Sequence, residues 1–187
     1  MTAAAEFFVL LMNLLIALCG MGILIYILYV LFTVHRPVPY VPTPYAVIRA
    51  MIDAAALTAR DRVVDLGSGS GRIVVEVARR VSVTVTGVEY SPLLLFAARL
   101  RALVTRRRGR IQWLQGDMYA FPLRDTTAVL CFLTGDALRR LAPAFASMAR
   151  GSRVVTHKFE APLRDGWERR VVPIRRYSAI YVYTKQT

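Results

Sequence analysis

Asp65-Leu66-Gly67-Ser68-Gly69-Ser70-Gly71 is the stretch on which the fold turns. It closes a short apolar run, Arg62–Leu66, and opens into a helical pattern over Arg72–Arg80. A strand, a glycine-rich turn and a helix in that order predict a ligand at the carboxyl end of the strand, where glycines let the backbone approach closely. A nicotinamide-dinucleotide fingerprint is excluded, because Arg72 stands where its third glycine belongs. A P-loop is excluded as well, since no Lys-Ser/Thr pair follows the glycines.

On both sides of this turn the chain alternates strand and helix. Thr43-Pro44 predicts an N-cap and a proline at the first helical position, with a helix to about Leu57 carrying Val47, Ile48, Met51 and Ile52 as its stripe. Ser82–Glu89 predicts a second strand, and Ser91-Pro92 a helix to about Arg106 with Leu93, Phe96, Ala97, Leu100 and Val104 near one face. Arg110–Leu114, Ala128–Leu133 and Arg153–Phe159 predict three more strands, with a helix at Asp136–Arg150 interrupted by Pro143. Trp167–Pro173 and Ser178–Thr184 predict a closing hairpin. The expected fold class is α/β: a Rossmann-like, mostly parallel seven-stranded sheet with a C-terminal antiparallel hairpin, built from residues 44–187.

The N-terminal part has a different character. Phe7 to Val34 is 28 residues without a charge, with Asn13 its one strongly polar side chain. As a helix this run is ~42 Å long, against a hydrocarbon core of ~30 Å. A cleaved signal peptide fits poorly, because the first six residues hold Glu6 and no Lys or Arg, and the apolar run is about twice too long. Residues 1–34 therefore predict one retained transmembrane anchor. Residues 35–43 hold three of the four prolines between His35 and Pro44 and predict an extended linker, ~28 Å at full length. Arg36 and Arg49 follow the anchor and no basic residue precedes it, which puts the remaining chain on the cytoplasmic or matrix-equivalent side. The two cysteines, Cys19 and Cys131, form no CxxC pair, so neither a disulfide framework nor a metal site is expected.

Two acids extend the ligand reading. Glu89 ends the second strand, 24 positions after Asp65, where a carboxylate can accept hydrogen bonds from both hydroxyls of a ribose. Asp117 ends the third strand in Gln115-Gly116-Asp117-Met118, positioned for an adenine amino group. The set resembles the class I, seven-strand S-adenosylmethionine-dependent methyltransferases, which carry D/E-x-G-x-G-x-G and an acid closing each of the next two strands. The resemblance implies S-adenosyl-L-methionine as cofactor, held by Asp65, Gly67, Ser68, Gly69, Gly71, Glu89, Tyr90, Asp117 and Met118. Tyr40-Val41-Pro42-Thr43-Pro44, the glycine motif through Ile73, and Arg153-Val154-Val155-Thr156-His157-Lys158-Phe159 resemble more narrowly the small membrane-anchored protein-lysine methyltransferases related to the mitochondrial ones. Ser70 stands where that family has Asp, Glu89-Tyr90-Ser91-Pro92 approximates its Glu-x-Asn-Pro, and the second Phe-Pro after strand five is missing.

That resemblance implies a lysine acceptor on a membrane or membrane-proximal protein, with Phe132, Leu133 and Thr134 at the substrate mouth. The catalytic residue is left unknown; Tyr119 and Glu160 are candidate bases, and both His are read as structural. Other readings are a small-molecule or lipid methyltransferase (quinone or phospholipid), a non-catalytic cofactor-binding scaffold, and RNA methylation. Residues 35–187 hold 25 basic residues against 11 acidic ones, which disfavours a lysine-rich target and favours an acidic or apolar one. Arg106-Arg107-Arg108-Gly109-Arg110 is the densest basic run. It is read as closing a helix C-terminus, with contact to anionic lipid as a second role. Nucleic-acid binding is disfavoured because no aromatic stacking pattern accompanies it.

Overall fold

The computed structural model describes residues 3–34, 41–106, 109–174 and 177–187, and these fall into two compact units, Met1–Tyr40 and Val41–Thr187. The first unit is helix α1, Ala3–Val34. Its segment Ala5–Leu28 has a mean hydropathy of 2.6 over 24 residues and buries none of it, so it is long and apolar enough to cross a bilayer. Most of the proline-rich stretch, residues 35–40, lies outside the described residues.

The second unit runs α2 (Tyr45–Ala55), β1 (Arg62–Leu66), α3 (Arg72–Arg80), β2 (Thr84–Glu89), α4 (Pro92–Leu103), β3 (Arg110–Gln115), β4 (Ala128–Cys131), α5 (Gly135–Ala146), β5 (Arg153–His157), β6 (Trp167–Ile174) and β7 (Tyr177–Lys185). The seven strands form one sheet in the order β3-β2-β1-β4-β5-β7-β6. Pairing is parallel from β3 to β5, while β7 runs antiparallel to both β5 and β6. The expected mostly parallel sheet with an antiparallel C-terminal hairpin is therefore the architecture found. Strand order reverses between β1 and β4. Right-handed crossovers that step in opposite directions put α3 and α4 on one face and α5 on the other.

The core follows from alternation along each strand. Val63, Val85, Leu130, Val155, Ile180 and Val182 face Val47, Ile48, Met51 and Ile52 of α2 and Val74 and Val77 of α3 in one cluster. Burying one such side chain contributes ~1.5–3 kcal/mol. Leu138, Leu141 and Phe145 of α5 are buried outside that cluster.

Three local expectations are corrected. Pro44 is the N-cap of α2, not its first helical residue: its ψ of 142° is extended, and no side chain caps the helix. Thr43 is buried instead, and its carbonyl accepts from Arg72 Nη1 at 3.2 Å. Pro143 lies within a continuous α5 and does not interrupt it. The basic run does not close α4, which ends at Leu103 with Val104 as C-cap; Arg107 and Arg108 lie outside the described residues.

Candidate active site

The turn after β1 is shaped by three left-handed glycines. Gly67, Gly69 and Gly71 have φ of 72°, 54° and 73°, a region that other L-residues rarely enter. The N–H groups of Gly67 and Ser68 both donate to the Val88 carbonyl at 2.9 Å, which fastens the turn to the end of β2. A Cβ at Gly71 would lie 2.5 Å from the Trp113 ring and 2.8 Å from Ala98 Cβ. One at Gly67 would lie 3.1 Å from Leu133 Cδ2 and 3.4 Å from Met118 Sδ. These contacts bring the carboxyl ends of β1, β3 and β4 around a single turn, at the point where strand order reverses.

The acids line the same edge. Asp65 is 1% exposed, and neither carboxylate oxygen has a hydrogen-bond partner among the described residues. Burial, with the nearby Glu89 charge, raises its pKa well above the usual carboxylate range. Glu89 accepts from Gly69 N through Oε2 and from Ser91 N through Oε1, each at 2.8 Å. It thus joins the glycine turn to the cap of α4. Ser91 in turn accepts from Leu94 N at 3.3 Å, as its place before Pro92 predicts. Asp117 is exposed and accepts from Tyr119 N at 2.9 Å. Tyr90 beside Glu89 is 71% exposed.

This arrangement fits the cofactor. An unpartnered, buried carboxylate is costly unless a cation meets it, and S-adenosylmethionine carries both an ammonium and a sulfonium. A carboxylate has about four acceptor sites, the chemistry that the two hydroxyls of a ribose need at the end of β2. Ser68 Oγ is a second buried polar atom at this edge without a partner among the described residues.

The ends of β4 and β5 build the neighbouring rim. The rings of Phe132 and His157 lie 5.0 Å apart, tilted by 52°. Leu133 is buried and lies over Gly67, whereas Thr134 is the N-cap of α5 and accepts from Ala137 N at 3.4 Å. Lys158 has a φ of 69°, uncommon for a residue with a side chain, so the chain turns sharply after His157. Thr156 Oγ1 holds that turn by donating to the Phe159 carbonyl at 2.7 Å. His157 is buried, and its Nδ1 has no hydrogen-bond partner among the described residues. Burial lowers its pKa, Lys158 adds to the lowering, and the Ala179 backbone opposes it. A neutral imidazole at the sheet's carboxyl edge is a proton acceptor that the sequence reading treats as structural. The signal for it was its place at the end of a strand.

The two candidate bases named from the sequence are placed less well. Tyr119 has its pKa raised by burial, and Arg140 stacks over its ring at 3.8 Å. Glu160 is ion-paired with Arg169. It lines a cavity of about 500 Å³ together with Arg139, Leu163, Arg164, Trp167 and Tyr183.

Residues 65–170 match the model of the ANTKMT methyltransferase domain. This chain belongs to that family. A protein-lysine N-methyltransferase of Saccharolobus islandicus is 33% identical over 132 residues, spanning 70% of this chain and 80% of that protein. A lysine N-methyltransferase of Caenorhabditis elegans, named for an ATP synthase subunit, is 22% identical over 154 residues, spanning 79% and 80%. Among solved structures, an RNA methyltransferase from Salinibacter ruber in complex with S-adenosyl-L-homocysteine superposes with a TM-score of 0.70 at 30% identity, covering 78% of this chain and 94% of that one. The protein is thus a class I S-adenosylmethionine-dependent enzyme of the protein-lysine methyltransferase group.

Proposed function

We propose that the enzyme is held at a membrane by α1 and methylates a lysine of a membrane or membrane-proximal protein. The observation that carries the tether is the 24-residue apolar segment Ala5–Leu28. The Caenorhabditis relative, whose name refers to a lysine of an ATP synthase, is consistent with a target of that kind. Arg36 and Arg49 after the span favour a cytoplasmic or matrix-equivalent location for the catalytic unit. The excess of 25 basic over 11 acidic residues in residues 35–187 favours a lysine in an acidic or apolar setting.

S-adenosylmethionine supplies an electrophilic methyl group on a sulfonium sulfur. Asp65 would meet its positive charge, Glu89 its ribose and Asp117 its adenine, with Met118 and Leu133 packing beside Gly67. Tyr90, exposed beside Glu89, would cover the open side of the ribose. The remaining task is alignment of an unprotonated lysine nitrogen with the methyl group. A lysine with a reference pKa of ~10.4 is mostly charged at neutral pH. Phe132, beside His157, would strip water from it, and the His157 imidazole would take its proton.

Cutting the chain before His35 tests the tether. The shortened enzyme should keep its activity on detergent-solubilised substrate. Its activity on intact membranes should fall by about an order of magnitude or more, because the tether no longer concentrates it at the surface. Equal activity on membranes would remove this role of α1.

A further inference from the structure

Helix α4 is apolar on both of its sides. Leu95, Ala98 and Ala102 are buried inward, with Ala98 closing over Gly71. On the opposite side Leu93, Phe96, Leu100, Leu103 and Val104 are exposed by 67%, 57%, 49%, 76% and 87%. At 3.6 residues per turn these five fall within an arc of ~100°, a continuous outward stripe. Soluble surfaces rarely keep a contiguous apolar patch of this kind without an occupant.

Charge identifies the occupant. Between Glu89 and Asp117 there are 27 residues with six arginines and no Asp, Glu or Lys. Arg99 and Arg106 are exposed beside the stripe. Pairing this face with a second copy would bring arginines against arginines with no acid to oppose them. An apolar stripe flanked by the exposed Arg99 and Arg106 suits the interface of an anionic bilayer, where side chains enter the acyl boundary and guanidinium groups meet phosphate.

We propose that the outward face of α4 docks into an anionic lipid surface and fixes the orientation of the catalytic unit there. This deepens, and rests on, the reading of α1 as a membrane span. The chain enters the catalytic unit at Val41, four residues before Tyr45, and Arg101 of α4 donates to the Tyr45 hydroxyl at 3.1 Å. Val41 and Tyr45 are themselves 55% and 41% exposed where the chain enters. Arg101 also donates to the Ser70 carbonyl at 3.0 Å, so the docking helix holds the glycine turn directly. A docked α4 sets the height of the cofactor edge above the lipid.

The test uses the full chain with Cys19→Ser, leaving the fully buried Cys131 in place. A single environment-sensitive fluorophore is attached through Leu100→Cys or through Asp125→Cys, a control whose native side chain is 94% exposed in the β3–β4 loop. Each protein is reconstituted into phosphatidylglycerol–phosphatidylcholine vesicles with brominated acyl chains, and into phosphatidylcholine vesicles alone. The label at 100 should be quenched several-fold more than the label at 125, and less so without phosphatidylglycerol. Adding Leu93→Glu and Leu103→Glu should abolish the difference while cofactor affinity is kept. Equal quenching at 100 and 125 overturns the proposal, as does quenching at 100 by a second labelled copy but not by lipid. Carbonate extraction separates the two readings. A chain that stays with the pellet while the label at 100 is unquenched refutes docking and leaves the tether standing. A chain released from the pellet refutes the tether, and the vesicle result still decides docking.

Discussion

Replacing Glu89 with glutamine takes away one of the two carboxylate oxygens that brace the cofactor turn. In the native site Oε2 accepts from Gly69 N and Oε1 from Ser91 N, both at 2.8 Å, and the residue is 7% exposed. Glutamine has one carbonyl oxygen, so one of these N–H groups must face an amide NH₂. A hydrogen bond to a charged group contributes ~1.5–3 kcal/mol, and that amount of stability should be lost without cofactor. At ~2–4 °C per kcal/mol for a domain of this size, the melting temperature should fall by ~3–12 °C. If Glu89 receives the ribose hydroxyls as proposed, the cofactor loses that charge, and ~1.5–3 kcal/mol corresponds to a ~10- to 150-fold drop in affinity. Calorimetric titration with S-adenosylmethionine measures the second effect and a thermal melt the first. Alanine is a poorer choice because it frees both backbone N–H groups at once. A lowered melting temperature with unchanged affinity would mean that Glu89 only braces the turn, and the ribose assignment would fail.

Other substitutions separate structure from chemistry. Asp65→Asn should raise the melting temperature of the cofactor-free enzyme at neutral pH, since burial makes ionisation of the native carboxyl costly, yet weaken S-adenosylmethionine binding; a drop in both would point to a purely structural Asp65. Gly71→Ala combines a φ of 73° with a Cβ 2.5 Å from Trp113, so it should cost ~1–3 kcal/mol in a denaturant melt, and a neutral result would mean that α4 shifts away freely. His157 is neutral in the fold while the unfolded imidazole binds a proton at about 6.5, so stability should fall as pH drops below that value. His157→Gln should flatten this slope and lower kcat more than KM, whereas an unchanged pH profile would remove His157 as proton acceptor. Asp61 and Glu76 have lowered pKa values. Desolvation at Asp61 is outweighed by bonds from Thr127 and Thr58 and by the Arg153 charge, and Glu76 is held down by Arg79 and Arg49. In denaturant melts across pH their contribution should be full above pH ~4.5, fade as pH drops below the ordinary carboxylate values, and be gone once it has passed the lowered ones.

Strand ends and the glycine turn were legible in the sequence because few residue types can do their work. Asp65, Glu89 and Asp117 close three consecutive parallel strands, and the order of the chain alone puts them on one edge. The face of α4 was not legible. Periodicity finds the stripe Leu93, Phe96, Leu100 and Val104 but carries no sign, and the inward side is instead Leu95 with small Ala98 and Ala102. Small residues are needed inward because the helix rides close over Gly71. His157 was hidden for another reason: a lone histidine in a strand reads as packing until Phe132 is placed beside it. Thr43-Pro44 misled because Pro44 itself takes the N-cap position of α2, and a proline has no side-chain acceptor to cap it.

Methyl transfer to protein lysine at a membrane is tested most directly by giving the full-length enzyme radiolabelled S-adenosylmethionine and native membranes from cells that lack it. Protein, lipid and RNA are then separated, and the protein is hydrolysed to amino acids. Label should appear in the protein fraction, recovered as methyllysine and dependent on Glu89. Label confined to lipid or RNA, or absent from all three fractions, would contradict lysine methylation as the activity of this enzyme.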